Sequence, residues 1–363
     1  MEDINTVICR IIDKNYDIGR ITKIERIPIG SVNESYSIWT DLNGEQKRWF
    51  LRYYVFNKPE SEIDYELDLM VHLRKKGFTL NACAILTKDG RTHVQEPVDG
   101  QERFFAVQEW LDGEQLYDWY ECCCKTKEVR SVARVAAQIH ALAYDFEPKN
   151  GWNAKALPID EYMTEVPEKL RYWIDGIHRA NHKEHFAQYM SGKLPDLVNW
   201  INRINPKLLN SQNLPRICIH TDLHPGNFKF IEEEVVSIFD FDWAKKDFRL
   251  YDVAFMLTTF ATSWFKFDNG AHYMNKLEAM LDAYNAEMKK MDCSLGALND
   301  AEWEMLPDMM IICNIFMLQE SVRQLHDFPE RNHFEYLYYM VHCINACDWI
   351  DMNHDAILKL RKD

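Results

Sequence analysis

No Cys-x-x-Cys pair occurs anywhere in the 363 residues, although there are ten cysteines. That spacing usually opens a structural zinc site or a redox dithiol, so neither is present as a local motif. Cys122, Cys123 and Cys124 would point in three directions on a helix. Cys343 and Cys347 lie one turn apart, and His342 beside them belongs to a different face. The cysteines therefore read as buried or incidental thiols in a reducing compartment. No uninterrupted apolar run approaches the ~18 residues of a membrane-spanning helix. The opening Met1-Glu-Asp-Ile-Asn carries neither a basic segment nor an apolar one of the secretory kind. Positive charge is scarce, with 42 Lys and Arg against 57 Asp and Glu, a net charge of −15. Such a surface repels phosphate backbones and argues against a nucleic-acid partner. Internal repeats and low-complexity linkers are missing too. The expectation is a cytoplasmic protein with no membrane and no nucleic-acid partner.

What is present suits a folded body of two domains or one two-lobed unit, since 47% of residues are hydrophobic and 27% charged. Ile4, Val7, Ile8, Ile11 and Ile12 form the stripe of an amphipathic helix. The period changes over residues 20–56, where aromatic and β-branched runs are separated by Gly/Asn turns, one of them Asp41-Leu42-Asn43-Gly44. This pattern predicts antiparallel strands. A helix over residues 60–76 turns Ile63, Leu67, Met70 and Leu73 inward and stops at Gly77, and two more strands are expected around turns at Lys88-Asp89-Gly90 and Asp99-Gly100. From Leu111 onward the spacing is helical, apart from a β-like island between Ile217 and Phe241. The fold class expected is α+β, with a small antiparallel β-rich lobe over residues 1–110 and a larger, mostly helical lobe over 111–363. A body of that kind offers a natural binding cleft.

The island carries the chemistry. It contains His220-Thr-Asp222-Leu-His-Pro-Gly-Asn227, then two strand-like runs about an acidic turn, then Phe239-Asp240-Phe-Asp242. If those runs form a hairpin, Asn227 lies opposite Asp240, with Cα atoms ~4.5–5.5 Å apart. Their oxygens would share a hard cation such as Mg²⁺, completed by phosphate and water oxygens. The His-Pro-Gly turn folds Asp222 back towards the same point, leaving one free carboxylate beside a two-ligand metal site. That arrangement suits phosphoryl transfer, where positioning and charge neutralisation do most of the catalysis. A surface hairpin with scattered acids would share the same spacing.

The segment from His220 to Asn227 resembles the H-G-D-x-x-x-x-N signature of the aminoglycoside phosphotransferase and choline kinase superfamily. Ile238-Phe-Asp240-Phe-Asp242 is similar to that family's second motif, the counterpart of D-F-G in protein kinases, and Arg249-Leu-Tyr-Asp252-Val-Ala to its continuation. The resemblance implies a protein-kinase-like two-lobed fold that binds ATP and Mg²⁺. It gives Asp222 the catalytic role and Asn227 and Asp240 the metal roles. His220 and Asp252 read better as braces of the loop than as catalysts, and His140 as structural. Thr221 stands where the family usually has Gly.

The same resemblance places Gly30, Ser31 and Asn33 in a loop over the phosphates, where an ordinary hairpin turn is the plain alternative. It puts Arg52 where protein kinases have Lys, with Glu66 as its natural partner and Glu62 one turn earlier. The backbone of Glu109 and Leu111 would hold the adenine edge. Relatives phosphorylate hydroxyl groups of aminoglycosides, choline, homoserine and sugars. The helices after Ala301 carry acids among aromatics, from Glu302 to Glu335 and from Trp303 to Tyr338. That mixture suits a cationic acceptor, though a solvated acidic face is the plainer reading of a chain acidic throughout. Two other readings use the same motifs. One is a nucleotide-binding structural or regulatory protein without turnover. The other is a protein kinase, disfavoured because A-P-E is missing and no long activation loop separates Asp240 from Asp252.

Overall fold

The computed structural model describes residues 3–28, 33–120, 123–149, 157–180 and 184–362. The chain divides into two compact units. The first takes Met1–Glu114, Asp145–Asn153 and Val236–Ala244, and the second Gln115–Tyr144, Ala154–Val235 and Lys245–Asp363.

In the first unit, strands β1 (Arg20–Ile27), β2 (Glu34–Leu42), β3 (Glu45–Tyr53), β4 (Val94–Val98) and β5 (Gln101–Glu109) form one antiparallel sheet in the order β1-β2-β3-β5-β4. The β2–β3 turn has Asn43 at φ 57° and Gly44 at φ 87°. These are the two residue types that enter the left-handed region most readily, and the turn matches the strand twist. Helix α1 (Ile4–Asn15) buries Val7, Ile8, Ile11 and Ile12 in one core with Tyr36, Ile38, Leu51 and Val107. Pairing sets Ser35 beside Arg52 and Arg52 beside Ala106, and likewise Ser37, Phe50 and Gln108. Alternation turns these two rows to the opposite face of the sheet. Helix α2 (Glu60–Lys75) follows β3. The two strands expected about the Lys88–Gly90 and Asp99-Gly100 turns are β4 and β5: Thr87 N–H to Arg91 O at 2.8 Å closes the first turn ahead of β4, and the second joins the pair.

The first unit's main segment runs to Glu114 and regains Val236–Ala244 from far along the chain. Backbone bonding explains this return. Ile238 N–H donates to Leu80 O at 2.9 Å, Asn81 and Ile238 form a parallel bridge, and the Ser237 hydroxyl donates to Asp112 O at 2.9 Å. Asp240 and Asp242 thus belong with the sheet, whereas the sequence pattern grouped them with the helices.

The second unit is helical: α3 (Thr126–Ala143), α4 (Ile159–Arg179), α5 (Glu184–Leu209), α6 (Arg249–Phe260), α7 (Met274–Lys290), α8 (Asp300–Asp327), α9 (His333–Met352) and α10 (His354–Leu358). Strands β6 (Arg216–Ile219) and β9 (Lys245–Phe248) pair antiparallel, and β7 (Phe228–Ile231) pairs with β8 (Glu234–Ile238), whose end crosses into the first unit. Helix α8 is long and apolar enough to span a bilayer, yet 78% of that stretch is buried inside the fold, as befits a core helix. It begins with a capping box in which Glu302 N–H donates to Asn299 Oδ1 and Asn299 N–H returns to Glu302 Oε2, at 3.0 and 2.9 Å. Glu302 also pairs, fully buried, with Arg249 at the start of α6.

Candidate active site

In the second unit, β6 delivers the chain to a loop held from below by one carboxylate. Asp252, in the first turn of α6, accepts the N–H of His220 at 2.8 Å and that of Thr221 at 2.7 Å. His140 Nε2 lies 3.0 Å from the same carboxylate, and its Nδ1 lies 2.7 Å from the Tyr284 hydroxyl. All three side chains are buried. Asp252 and His140 are therefore braces, as is the backbone of His220. Thr221 sits at φ 69°. A β-branched residue rarely adopts that conformation, and it is the reason glycine suits the position.

The turn so fixed presents Asp222, whose side chain is 27% exposed. Burial alone would raise its pKa. The neighbouring His224, His220 and Asn227 outweigh that and hold the carboxyl below its usual range, so it is ionised at neutral pH. Gly226 N–H donates to His224 Nδ1 at 3.1 Å, which leaves the His224 Nε2 side facing Asp222 Oδ2 at 3.4 Å. A side chain at Gly226 would meet the His224 ring at 2.9 Å and the Trp119 backbone nitrogen at 3.3 Å, so it would push the ring off its place beside Asp222. Asn227 ends the short 3-10 turn Pro225–Asn227. Its amide nitrogen donates to Asp222 O at 2.8 Å and Asp222 Oδ2 at 3.0 Å. That fixes the amide, with its oxygen left to accept a cation.

In the first unit, Arg52 and Glu66 meet as the sequence suggested, Nη1 to Oε1 at 2.9 Å, with Arg52 10% exposed and Glu66 3%. Glu66, rather than Glu62, is thus the partner. Arg52 also reaches Asp240 at 3.2 Å and Asp242 at 2.6 Å. Lys58 adds a second cation 3.1 Å from Asp242. Burial and the nearby Asp242 push the Glu66 carboxyl well up, while Asp242, despite burial, is held low by Arg52, by a hydrogen bond from Glu66 and by Lys58. Asp240 stands at φ 66° with its carboxylate 39% exposed. Strand β7 begins at Phe228 and β8 ends at Ile238, so Asn227 and Asp240 lie just outside the ladder, Asn227 on the turn before β7 and Asp240 at positive φ after β8.

Among the phosphate-loop residues, Gly30 and Ser31 lie outside the described residues. Asn33 is a bridge: its amide nitrogen donates to Asp242 at 2.7 Å, and its oxygen accepts Val55 N–H at 3.0 Å. Glu109 turns its carboxylate to Arg74 and to Cys83 N–H, and its own N–H is taken by Cys83 O. Leu111 follows in irregular backbone. Beside them Gln108, 4% exposed, holds an amide nitrogen with no partner.

Sequence reasoning passed over His224, Asp242 and Lys58. The first two stand inside quoted motifs, and Lys58 has no local signal. The acids expected to line an acceptor surface are largely spoken for. Glu302 pairs with Arg249, Asp308 with Lys207, and Glu320 and Asp327 with Arg323. The aromatics do gather: Trp119 lies 4.6 Å from Tyr339 and 5.9 Å from Trp264, and Tyr120 lies 5.4 Å from Tyr339, centroid to centroid. Glu335 accepts the Tyr339 hydroxyl.

Among the described residues no three His, Cys, Asp or Glu side chains gather as a metal cluster. Asn227 in the second unit has an oriented amide and Asp240 in the first a part-exposed carboxylate; each offers a hard oxygen of the kind Mg²⁺ or Ca²⁺ takes.

The phosphotransferase enzyme family (APH) matches residues 23–291. Homoserine kinase of Methylocella silvestris is 25% identical over 300 residues, covering 82% of this chain and 78% of that protein. Homoserine kinase of Nitrobacter hamburgensis is 26% identical over 295 residues, covering 81% and 77%. Among solved structures, a microcompartment-associated aminopropanol kinase superposes with a TM-score of 0.66 at 16% identity over 99% of this chain and all of that one. An amicoumacin kinase in complex with AMP-PNP, Ca²⁺ and Ami superposes with a TM-score of 0.67 at 16% identity over 95% and 93%. The chain belongs to the phosphotransferase enzyme family, with the protein-kinase-like fold, and is a small-molecule kinase that phosphorylates an alcohol group.

Proposed function

We propose that this chain transfers the γ-phosphoryl group of ATP, with Mg²⁺, to the hydroxyl of a small alcohol that also bears a protonated amine, homoserine being the first to test. The observation that carries the reaction is the ionised, braced Asp222 carboxylate with Asn227 locked to it. Asp222 accepts a hydrogen bond from the acceptor hydroxyl and aims its oxygen. As the new O–P bond forms and the bond from the γ-phosphorus to its bridging oxygen breaks, the hydroxyl proton passes to the carboxylate and ADP leaves. Asp222 need not be a strong base, because the proton becomes acidic late in such a transfer. The divalent cation would supply charge neutralisation on the phosphates, held by Asn227 Oδ1 and the Asp240 carboxylate. Arg52, fixed by Glu66, supplies a planar cation for phosphate oxygens.

The amine is supported by the aromatic group of Trp119, Tyr120, Trp264 and Tyr339 in the unit that bears Asp222, since aromatic faces attract ammonium groups. The relatives named above act, by their names, on homoserine and aminopropanol. The test is ADP release with MgATP across amino alcohols, hydroxy amino acids, aminoglycosides and neutral sugars. Stimulation by an amine-bearing alcohol, lost in its N-acetylated form, is the expected result. Stimulation by neutral sugars alone would overturn the amine assignment.

A further inference from the structure

Lys58 occupies an unusual position for a lysine. It closes the turn after β3, with its N–H on Val55 O at 3.2 Å, and its side chain is 8% exposed. Burying an ammonium is costly unless it is paired. Its pairing is unequal: Lys58 and Arg52 both converge on one oxygen, Asp242 Oδ1, at 3.1 and 2.6 Å. Asp242 Oδ2 is taken by Asn33, which also holds Val55 N–H at the start of the lysine's turn. Asp242 and Asn33 therefore fix where the turn stands, and the ammonium sits at the end of a flexible four-carbon stem. The Arg52 fork is tied in three directions, to Glu66, Asp240 and Asp242. Lys58 shares its acceptor and lies over the Tyr54 ring at 5.2 Å. Of the two cations it is the one that can change partner by bond rotation alone.

We propose that Lys58 is a second phosphate-binding residue of the nucleotide site, held ready beside Arg52 by Asp242 and passing to a terminal phosphate of the nucleotide when that binds. This rests on the ATP reading above and deepens it. A compact point charge suits a phosphate whose position shifts during transfer, while the rigid Arg52 fork suits one that stays. An ion pair serving stability alone would have no preference among nucleotides. A phosphate-binding lysine distinguishes them by the number of phosphates.

The experiment measures binding of AMP, ADP and ATP by calorimetry to the full chain, for wild type, Lys58→Gln and Lys58→Arg, with Mg²⁺ present. Glutamine retains length and a hydrogen bond to Asp242 without the charge, so the variant is expected to fold, and a thermal melt of each protein checks this. The proposal expects Lys58→Gln to weaken ATP about tenfold and AMP by less than about twofold, with Lys58→Arg restoring most of the loss. ATP affinity unchanged in Lys58→Gln, or equal losses for AMP and ATP, would overturn it while leaving the ATP reading intact. Should Lys58→Gln not fold, Lys58→Met, which keeps the aliphatic stem without the charge, decides by the same two criteria, ATP loss against AMP loss. No binding of any nucleotide by the wild type would instead remove the ATP reading and this proposal together.

Discussion

At Thr221 the backbone stands at φ 69° with the side chain 8% exposed, and its N–H is pinned by Asp252. An L residue in that region is strained by ~1–2 kcal/mol, more so when β-branched. Glycine would relieve the strain but adds ~0.5–1 kcal/mol of unfolded-state freedom. The two nearly offset, so Thr221→Gly is expected to leave unfolding free energy within about 1 kcal/mol of wild type in a urea titration. A loss above ~2 kcal/mol would show that the threonine side chain contributes packing that outweighs its backbone strain. The sequence marks Thr221 as a departure from the family signature. The physical reason for glycine there comes from the dihedral angle, which residue identity does not disclose. Lys58 and Asp242 show the same limit: their pairing joins residues 184 positions apart in sequence, and no local pattern encodes it. Arg52 and Glu66, 14 positions apart on a strand and the helix after it, were legible through the family resemblance, which sets a strand cation against a helix glutamate.

Among the elements, those built on one strong periodicity were readable. The Ile4–Ile12 stripe became α1, and Asn43-Gly44 became the β2–β3 turn. Elements that depend on long-range pairing were not. The end of β8 is one, tied to the first unit by Ile238 N–H on Leu80 O and a parallel bridge to Asn81. The start of α6 depends on a similar hidden contact. Arg249 is fully buried and its guanidinium is answered by Glu302 and by Gly296 O at 2.7 Å. Because α6 carries Asp252, this ion pair fixes the helix that holds the Asp222 loop. Removing one partner leaves a buried charge uncompensated, which typically costs about 3–5 kcal/mol. Glu302→Gln is therefore expected to lower stability by about that amount in chemical denaturation. A change below ~1 kcal/mol would mean that water reaches the guanidinium and the pair is not an anchor.

For the molecule as a whole, the division of labour follows charge and chain path. The first unit gathers Arg52 and Lys58 with Asp240 and Asp242, and the second holds the braced Asp222 and Asn227. The fold class and the two motifs could be read from the chain, because the signature residues lie within a few positions of one another. The return of Val236–Ala244 to the first unit could not be read, since it is made by backbone bonds to Leu80 and Asn81. In the proposed reaction Asp222 acts on the acceptor hydroxyl and contributes little to holding nucleotide. This is tested most directly by measuring acceptor-dependent ADP release and ATP affinity side by side in wild type and Asp222→Ala, with a thermal melt of both. The account predicts turnover reduced by at least about 10³-fold, with ATP affinity within about threefold and the fold retained. Turnover within about tenfold of wild type in a folded Asp222→Ala protein would contradict it.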